Sequence, residues 1–417
     1  MNKYIFLALF FIGDAICHEI NDPKSIENYL IKINEFNNNV MSKTKGKTLQ
    51  EEVTILEGIL KNYNKDPDIY DFLLQNLSVK YSILGDHKNA VKLGESRSSY
   101  KSPISYELDG FYPVDAVEFI SKKAGDYDVV VINEAHNMSN HRTLTYKALT
   151  ELWAKGYRYL AVEGLSENAE KLVYEDYILK SSGFYTNEPI FANLLIHAKN
   201  IGFKLVSYDY FNVKNNGNIK SRDTFAAETI DKKIFQLDKD AKAVIHVGYS
   251  HAKKNPQWLA GILAQQQKRK ILSIDQTTEI KVSTAPNNRK ITEPSIYENN
   301  DKEAWSLSKQ DYDVTVVWPA TTYKNNRPVW QKLNRTAHSF NTKFCSNNFP
   351  CVVEVFLLYR KDAVPLDRVV IQSHEEITDV FLYEGINTMV FSKLNGEQTS
   401  IKQVTCKSGK CIVPAAD

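Results

Sequence analysis

The sequence predicts an α/β fold, in which a parallel sheet of about five or more strands carries helices on both faces. An N-terminal helical region and a C-terminal β-rich module flank this sheet. From Asp126 to Asp275, short apolar segments alternate with amphipathic ones, as in parallel sheets with crossover helices. The polar stretch before this part has apolar residues at helical spacing, and the stretch after about Asn300 alternates as strands do.

The first residues have the pattern of a secretory signal peptide. A single lysine precedes an apolar run from Tyr4 to Ile12, and small residues follow. This run is shorter than the ~20 apolar residues of a membrane-spanning helix, and no later stretch approaches that length. We therefore expect an exported chain, periplasmic or secreted, cleaved after Ala15 or Cys17. Lipid attachment at Cys17 is disfavoured, because Asp14 stands where a lipid-attachment motif needs an aliphatic residue.

Composition shifts along the chain predict four parts. We place the signal peptide at 1–17, a helical accessory region at 18–110, an α/β domain at 111–290 and a β-rich module at 300–417. The segments "EEVTILEGIL" and "YDFLLQNLSVKYSILGDHKNAVKLGE" are typical of helical hairpins. The predicted strands of the last part are "YDVTVVWPA", "CVVEVFLLYR", "DRVVIQS" and "TDVFLYEGINTMVFSKL".

The charge balance limits the expected partners, and the cysteine content indicates the compartment. The chain has 52 basic and 50 acidic side chains, so no basic field exists to attract nucleic acid or anionic lipid. We expect a small-molecule or peptide substrate instead. Beyond Cys17, the only cysteines are Cys345, Cys351, Cys406 and Cys411. Two local disulfides are the natural interpretation in an exported chain, although spacing alone does not fix connectivity. The alternatives are buried free thiols and a zinc site, and the spacings lack the CxxC pattern of zinc ribbons.

Five apolar segments form the predicted parallel sheet. They are "DVVVI" ending at Ile132, "RYLAV" ending at Val162, "FKLVS" ending at Ser207, "AVIHV" ending at Val247 and "KILSI" ending at Ile274. None shows the polar alternation of a half-exposed strand, as expected when helices cover both faces.

Residue types that do chemistry follow the ends of these strands. In chain order they are Glu134 and His136, Glu163, Asp209, Tyr249 and His251, and Asp275. The carboxyl ends of parallel strands meet at one edge of a sheet, so these groups are expected to converge in one cleft. Taken singly, Asp209 and Asp275 have the ordinary alternative of capping a helix or lying on the surface. His246 is expected to be a core histidine, and His141 to start a helix surface.

Four segments resemble the signature segments of one superfamily: "NEAH" at residues 133–136, "AVEGL" with Glu163, "SRDTFAAETI" with Arg222 and "HVGYSH" with His251. This superfamily joins erythromycin esterases, ChaN-type haem-binding lipoproteins and TIKI/TraB-type metalloproteases. The first segment departs from the usual Gly-Glu-x-His, because Asn133 replaces the glycine. The resemblance covers roughly residues 126–275.

The resemblance implies three alternative activities. In the esterase-like branch, His136 is a general base for water, and Glu134, Glu163 and His251 complete the site. In the metalloprotease-like branch, His136, Glu163 and His251 hold a divalent metal ion. In the ChaN-like branch, the groove binds haem or iron without turnover. The residues alone leave all three open.

A histidine beside a carboxylate is a competent base near neutral pH. Water held between His136 and Glu163 is expected to attack an ester, lactone or amide, with Arg222 stabilising the oxyanion by ~3 kcal/mol. A serine or cysteine nucleophile is disfavoured, because this part of the chain has no Gly-x-Ser-x-Gly elbow and no cysteine. The predicted substrate contacts are Arg142, Tyr185, Asp209 and Tyr249. The sequence thus predicts a hydrolase, with a haem- or metal-binding protein as the alternative.

Overall fold

The computed structural model describes residues 23–63, 66–96, 108–167, 177–209, 219–277, 291–340, 342–345 and 348–412. The predicted signal peptide, including Cys17, lies outside the described residues. Within the ranges above, no helix combines the length and the apolarity needed to cross a membrane.

The described helices and strands alternate through the middle of the chain and give way to strands alone near its end. The helices are α1 (Pro23–Thr44), α2 (Leu49–Asn62), α3 (Pro67–Leu84), α4 (His87–Glu95), α5 (Ala116–Lys123), α6 (Asn140–Ala154), α7 (Pro189–Ile201), α8 (Ile219–Ile230) and α9 (Leu259–Gln265). The first eight strands are β1 (Tyr112–Asp115), β2 (Val129–Glu134), β3 (Tyr157–Val162), β4 (Lys204–Ser207), β5 (Lys242–Gly248), β6 (Ile271–Asp275), β7 (Ser295–Glu298) and β8 (Val314–Thr315). The remaining strands are β9 (Tyr323–Lys324), β10 (Arg327–Pro328), β11 (Thr336–Ser339), β12 (Cys351–Phe356), β13 (Asp367–Ile371), β14 (Asp379–Leu382), β15 (Gly385–Lys393), β16 (Gln398–Lys407) and β17 (Lys410–Ile412).

A six-stranded parallel sheet forms the centre of the protein. Its strand order is β4-β3-β5-β2-β6-β8, and every neighbouring pair is parallel. The five predicted strands are β2 to β6, so the predicted fold class is confirmed. In the register of β2 and β5, Ile132 lies opposite His246 and Glu134 lies opposite Gly248. The carboxyl ends of these two central strands therefore lie side by side.

Helices cover both faces of the sheet, because successive side chains of a strand point to opposite faces. Val130 and Ile132 belong to the core that contains α6 and α7. Val129 and Val131 belong to the core that contains α8 and α9. This two-sided burial explains why the strands are apolar runs rather than alternating sequences.

The sixth strand comes from a segment that the sequence assigned to the β-rich module. In "YDVTVVWPA", the pair Val314–Thr315 forms β8 and is parallel to the end of β6. The backbone N–H of Val316 also donates to the carbonyl oxygen of Asp275 at 2.7 Å. An alternating pattern indicates a strand but carries no information about which sheet the strand joins, so the sequence could not place this one.

The N-terminal helical region packs against the sheet domain through α3. The Asp66 side chain caps this helix at its start, and Gly85 ends it with φ +93°, a conformation that favours glycine. Every residue from Phe72 to Leu84 is buried. The predicted helical region is thus present, and its central helix is enclosed by the rest of the protein.

The C-terminal part is an antiparallel β-rich region, as predicted. A five-stranded sheet has the order β13-β12-β15-β16-β17, and β11 pairs with β14. The two predicted local disulfides are present, Cys345 with Cys351 and Cys406 with Cys411. The second joins the neighbouring strands β16 and β17, where the two cysteines lie opposite each other. Such bonds are typical of proteins in oxidising compartments.

Candidate functional site

Glu134, the last residue of β2, is the most heavily bonded carboxylate of the site. Arg142 on α6 donates to it twice, from Nε at 2.7 Å and from Nη2 at 2.9 Å. Nδ1 of His136 and Nε2 of His246 each lie 2.8 Å from its oxygens. Burial alone would raise the pKa of Glu134, but Arg142 and His246 hold it well below its usual range. Glu134 is therefore an ionised carboxylate inside the protein.

His136 has a fixed ring orientation. Because Glu134 is ionised, Nδ1 of His136 carries the proton that this carboxylate accepts, and Nε2 is the basic atom of the neutral ring. Tyr185 stacks on the imidazole at 4.1 Å between ring centres, and Tyr249 meets it edge-on at 5.3 Å. A β-carbon on Gly248 would overlap this imidazole. A residue larger than glycine at position 248 would thus displace the ring.

Nε2 of His136 and Oε2 of Glu163 both lie close to Gly248. A β-carbon on Gly248 would lie 3.0 Å from Oε2 of Glu163 as well as against the imidazole. The backbone N–H of Gly248 donates to Oε2 of Glu163. Among the described residues, none forms a hydrogen bond with Nε2 of His136. The predicted pair of His136 and Glu163 is thus brought together over Gly248.

Arg222 on α8 joins two further strand ends. It donates to Asp209 from Nε at 2.9 Å and from Nη2 at 2.6 Å, and to Oε1 of Glu163 at 2.6 Å. Its Nη1 lies 3.4 Å from Nε2 of His251. Burial would raise the pKa of Glu163, but Arg222 and His251 lower it to about 2. Glu163 is therefore ionised at neutral pH.

His251 forms a second pair with a carboxylate, one that the sequence did not identify. Its Nδ1 lies 2.8 Å from Oδ2 of Asp223, which also accepts from the backbone N–H of Leu259 at 2.7 Å. Burial would lower the pKa of His251, but Asp223 outweighs this effect and raises it. Asp223 directly follows Arg222 in "SRDTFAAETI", and this adjacency was the available signal. It could not be used, because adjacent helix residues point in different directions.

The predicted substrate contacts occupy different positions. Arg142 is 1% exposed and bridges Glu134 to Glu188, whose Oε2 accepts from Nη1 at 3.0 Å. Tyr185 and Tyr249 are buried against His136 as aromatic walls. Asp209 is bound by Arg222. Arg142 therefore supports Glu134 from within the protein, while the other three line the site.

Asn133 ties three strand ends together. Its Nδ2 donates to the carbonyl oxygen of Tyr249 at 2.9 Å and to Oδ1 of Asp275 at 3.0 Å. Its Oδ1 accepts from the backbone N–H of Gln276 at 2.7 Å. Asp275 also accepts from the N–H of Thr277 at 2.9 Å. It lies beside Asn133 in a turn at the end of β6, so its bonds are those of a structural group.

The predicted environment of His246 agrees with the structure, whereas that of His141 does not. His246 is buried as expected, but it bonds to Glu134 through Nε2 and to Thr145 through Nδ1. His141 was expected on a helix surface, and this prediction is wrong: it is fully buried, and its Nδ1 accepts from the backbone N–H of Ala135 at 3.0 Å. Burial lowers the pKa of His141 to about 3. The ring holds the loop between Glu134 and His136, a contact that a helical pattern does not reveal.

The residues do not fit a metal ion or a haem. Within the described ranges, no three His, Cys, Asp or Glu side chains are placed to hold a metal. Arg222 donates to Glu163 and lies 3.4 Å from Nε2 of His251, so a cation already stands between two of the three candidate ligands. Tyr185 covers the face of His136, and Gly248 and Glu163 border its Nε2. No space for a porphyrin remains at that atom.

Comparisons with known proteins provide little further information. No protein-family model matches the chain. No curated protein matches it. Among solved structures, the chain is similar to the type III effector HopBA1, with 14% identity and a TM-score of 0.32 over 50% of this chain and 95% of that one. This likeness is too weak to support a conclusion about fold or function.

Proposed function

We propose that this protein hydrolyses an ester, lactone or amide, with His136 as the general base and no covalent intermediate. One arrangement carries the proposal: Glu134 fixes the proton of His136 on Nδ1, and Nε2 and ionised Glu163 both lie beside Gly248. A water molecule that reached both groups would donate one hydrogen bond to each of them. Such a water is oriented and ready to lose a proton.

The reaction uses the two histidines in opposite senses. His136 takes a proton from water as the hydroxide oxygen bonds to the carbonyl carbon, and ionised Glu134 stabilises the imidazolium. His251, whose pKa Asp223 raises, donates a proton to the leaving oxygen or nitrogen as its bond to carbon breaks. The products are a carboxylic acid and an alcohol or amine. When two titratable groups share a site, the group with the raised pKa usually acts as the acid and the other acts as the base.

Arg222 has two tasks in this scheme. It holds Glu163 and Asp209 in place, and its guanidinium supplies positive charge where the tetrahedral oxyanion develops. Its side chain is 23% exposed, against 4% for Glu163 and 8% for Asp209. The substrate therefore approaches from the Arg222 side of the site.

Membership of the superfamily that contains erythromycin esterases, ChaN-type lipoproteins and TIKI/TraB-type proteases is part of the same proposal. The four segments quoted above support it, because each supplies at least one residue of the observed cluster. Export to the periplasm or the medium is also proposed, supported by the signal-like N-terminus and by the two disulfides.

The test is a hydrolysis screen of the purified protein against chromogenic esters, lactones and peptide amides, with and without a chelator. We expect turnover that survives chelation and is lost in His136→Gln. The matched control is His374→Gln, because His374 is exposed and lies in the β-rich region. Turnover that disappears with the chelator would reject the metal-free mechanism. Absence of turnover together with tightly bound haem or metal would favour the binding protein instead.

A further inference from the structure

We infer that helix α3 of the N-terminal helical region positions the imidazole of His136, acting through Gln75 on Tyr249. This inference rests on the proposed function, since it names the residues that aim the general base. The predicted accessory region would then be a required part of the site. Gln75 touches no reacting atom and is a positioning residue.

Tyr249 has a backbone that needs support from its surroundings. It is the first residue after β5 and has φ +41°, a value that residues other than glycine rarely adopt. Its carbonyl oxygen accepts from Asn133, and its ring meets His136 edge-on at 5.3 Å. The position of this ring thus limits how far the imidazole can turn.

Gln75 fixes the far end of the Tyr249 side chain. Its Nε2 donates to the Tyr249 hydroxyl at 2.5 Å, and that hydroxyl donates to Oδ1 of Asn137 at 3.1 Å. One turn further along α3, the Ser78 hydroxyl donates to the carbonyl oxygen of Asn137 at 3.1 Å. Gln75 is 1% exposed, so it cannot exchange this bond for one to water. The burial of the Gln75 amide is explained by this partner.

Tyr185, the other aromatic residue beside His136, is also connected to α3 by side-chain contacts. Nζ of Lys80 lies 5.9 Å from the centre of the Phe184 ring. Phe184 packs edge-on against Tyr185 at 5.2 Å, and Tyr185 stacks on His136. Both aromatic neighbours of the imidazole are therefore connected to the same helix, Tyr249 through Gln75 and Tyr185 through Phe184 and Lys80.

The experiment is a double-mutant cycle with Gln75→Met, which keeps the length of the side chain but removes the donor, and Tyr249→Phe. Each variant is assayed for kcat and KM and for the free energy of unfolding. We expect Gln75→Met to lower kcat by about tenfold with KM nearly unchanged, because the base is misaimed while binding is intact. In the Tyr249→Phe background, Gln75→Met should change kcat little further.

The control is Asn76→Leu, a substitution at the next position of α3. Asn76 is equally buried, and its Oδ1 has no hydrogen-bond partner among the described residues. We expect this variant to keep the wild-type kcat. If Gln75→Met and Asn76→Leu have the same kcat, or if the effects of Gln75 and Tyr249 are additive, the inference is wrong.

A spectroscopic readout separates this inference from the proposed function. The ring resonances of His136 should move in Gln75→Met in the same direction as in Tyr249→Phe, whether or not a substrate is known. Unchanged His136 resonances in folded Gln75→Met would overturn the positioning role. Shifted resonances in a protein without hydrolytic activity would support the positioning role and reject the hydrolase.

Discussion

The site consists of two halves that are built alike but buried to different degrees. In each half, an arginine bridges two carboxylates and a histidine bonds to a carboxylate through Nδ1. In the first half, Arg142 binds Glu134 and Glu188, and Glu134 itself holds His136. In the second half, Arg222 binds Glu163 and Asp209, and a separate carboxylate, Asp223, holds His251.

The two halves differ in how far their arginine side chains are exposed to solvent. The Arg142 side chain is 1% exposed, and its carboxylates are buried on all sides. The Arg222 side chain is 23% exposed. A charged network without access to solvent can hold a base in place but cannot receive a substrate. In the proposed reaction, the first half would hold His136 in place, and a substrate would reach the site from the second half.

The largest expected effect is on stability. Arg142→Met leaves Glu134 and Glu188 without their cation inside the protein, and breaking a buried pair in this way typically costs about 3–5 kcal/mol. Arg222→Met is expected to cost less, because the Arg222 side chain is 23% exposed and water partly screens its ion pairs. Urea unfolding of the two variants measures the difference in the free energy of unfolding. An equal loss in both would show that the halves do not differ in burial.

The next effect is on turnover. His136→Ala should lower the rate on any confirmed substrate by about 10²-fold or more, because the general base is lost. Truncating a histidine at a strand end that faces a solvent-filled crevice would cost near or below ~1 kcal/mol. The ring is instead 3% exposed and stacked on Tyr185. We expect a cost of about 1–3 kcal/mol, since Oε1 of Glu134 loses one of its two donors and keeps only Arg142.

His246→Ala is the matched comparison for that variant. His246 bonds to the other oxygen of Glu134 and lies within β5 rather than after its end. We expect a similar loss of stability with a smaller loss of turnover. If His136→Ala kept full turnover, the general-base role would be rejected.

Much of this arrangement follows from the sequence. The apolar runs predicted β2 to β6, and the residues after them supplied Glu134, His136, Glu163 and His251, because strand ends in a parallel sheet are local features. What sequence could not supply depends on contacts between distant elements. Glu188 reaches Arg142 only because it caps α7, where its side chain accepts from the first turn.

Packing between distant elements explains why the sequence did not identify Asp223 and misplaced His141. No local pattern favours Asp223 over its neighbours, since only the packing of α8 against the turn after β5 brings it to His251. His141 was assigned to a surface because a histidine near the start of a helix is usually exposed. His141 is buried because α6 packs against α7 and β2. No local sequence pattern predicts that packing.

The smallest expected effect is on the pH dependence of stability, and it distinguishes the two halves. The pKa of Glu163 falls from 4.5 to about 2 on folding. Its contribution is therefore fully present above 4.5 and is lost as pH falls from 4.5 towards about 2. The pKa of His251 is raised on folding. Its contribution is present below the ordinary histidine value of about 6.5 and is lost as pH rises through the raised pKa.

Two substitutions remove these contributions one at a time. Glu163→Gln should flatten the acid side of a plot of unfolding free energy against pH, and Asp223→Asn should flatten its alkaline side, because His251 then loses the carboxylate that raises its pKa. Glu134, whose pKa is also lowered, keeps part of the acid limb in both variants. Urea unfolding at a series of pH values gives the two slopes. An alkaline limb that survives in Asp223→Asn would mean that His251 is not the titrating group, and the difference between the halves would then be burial alone.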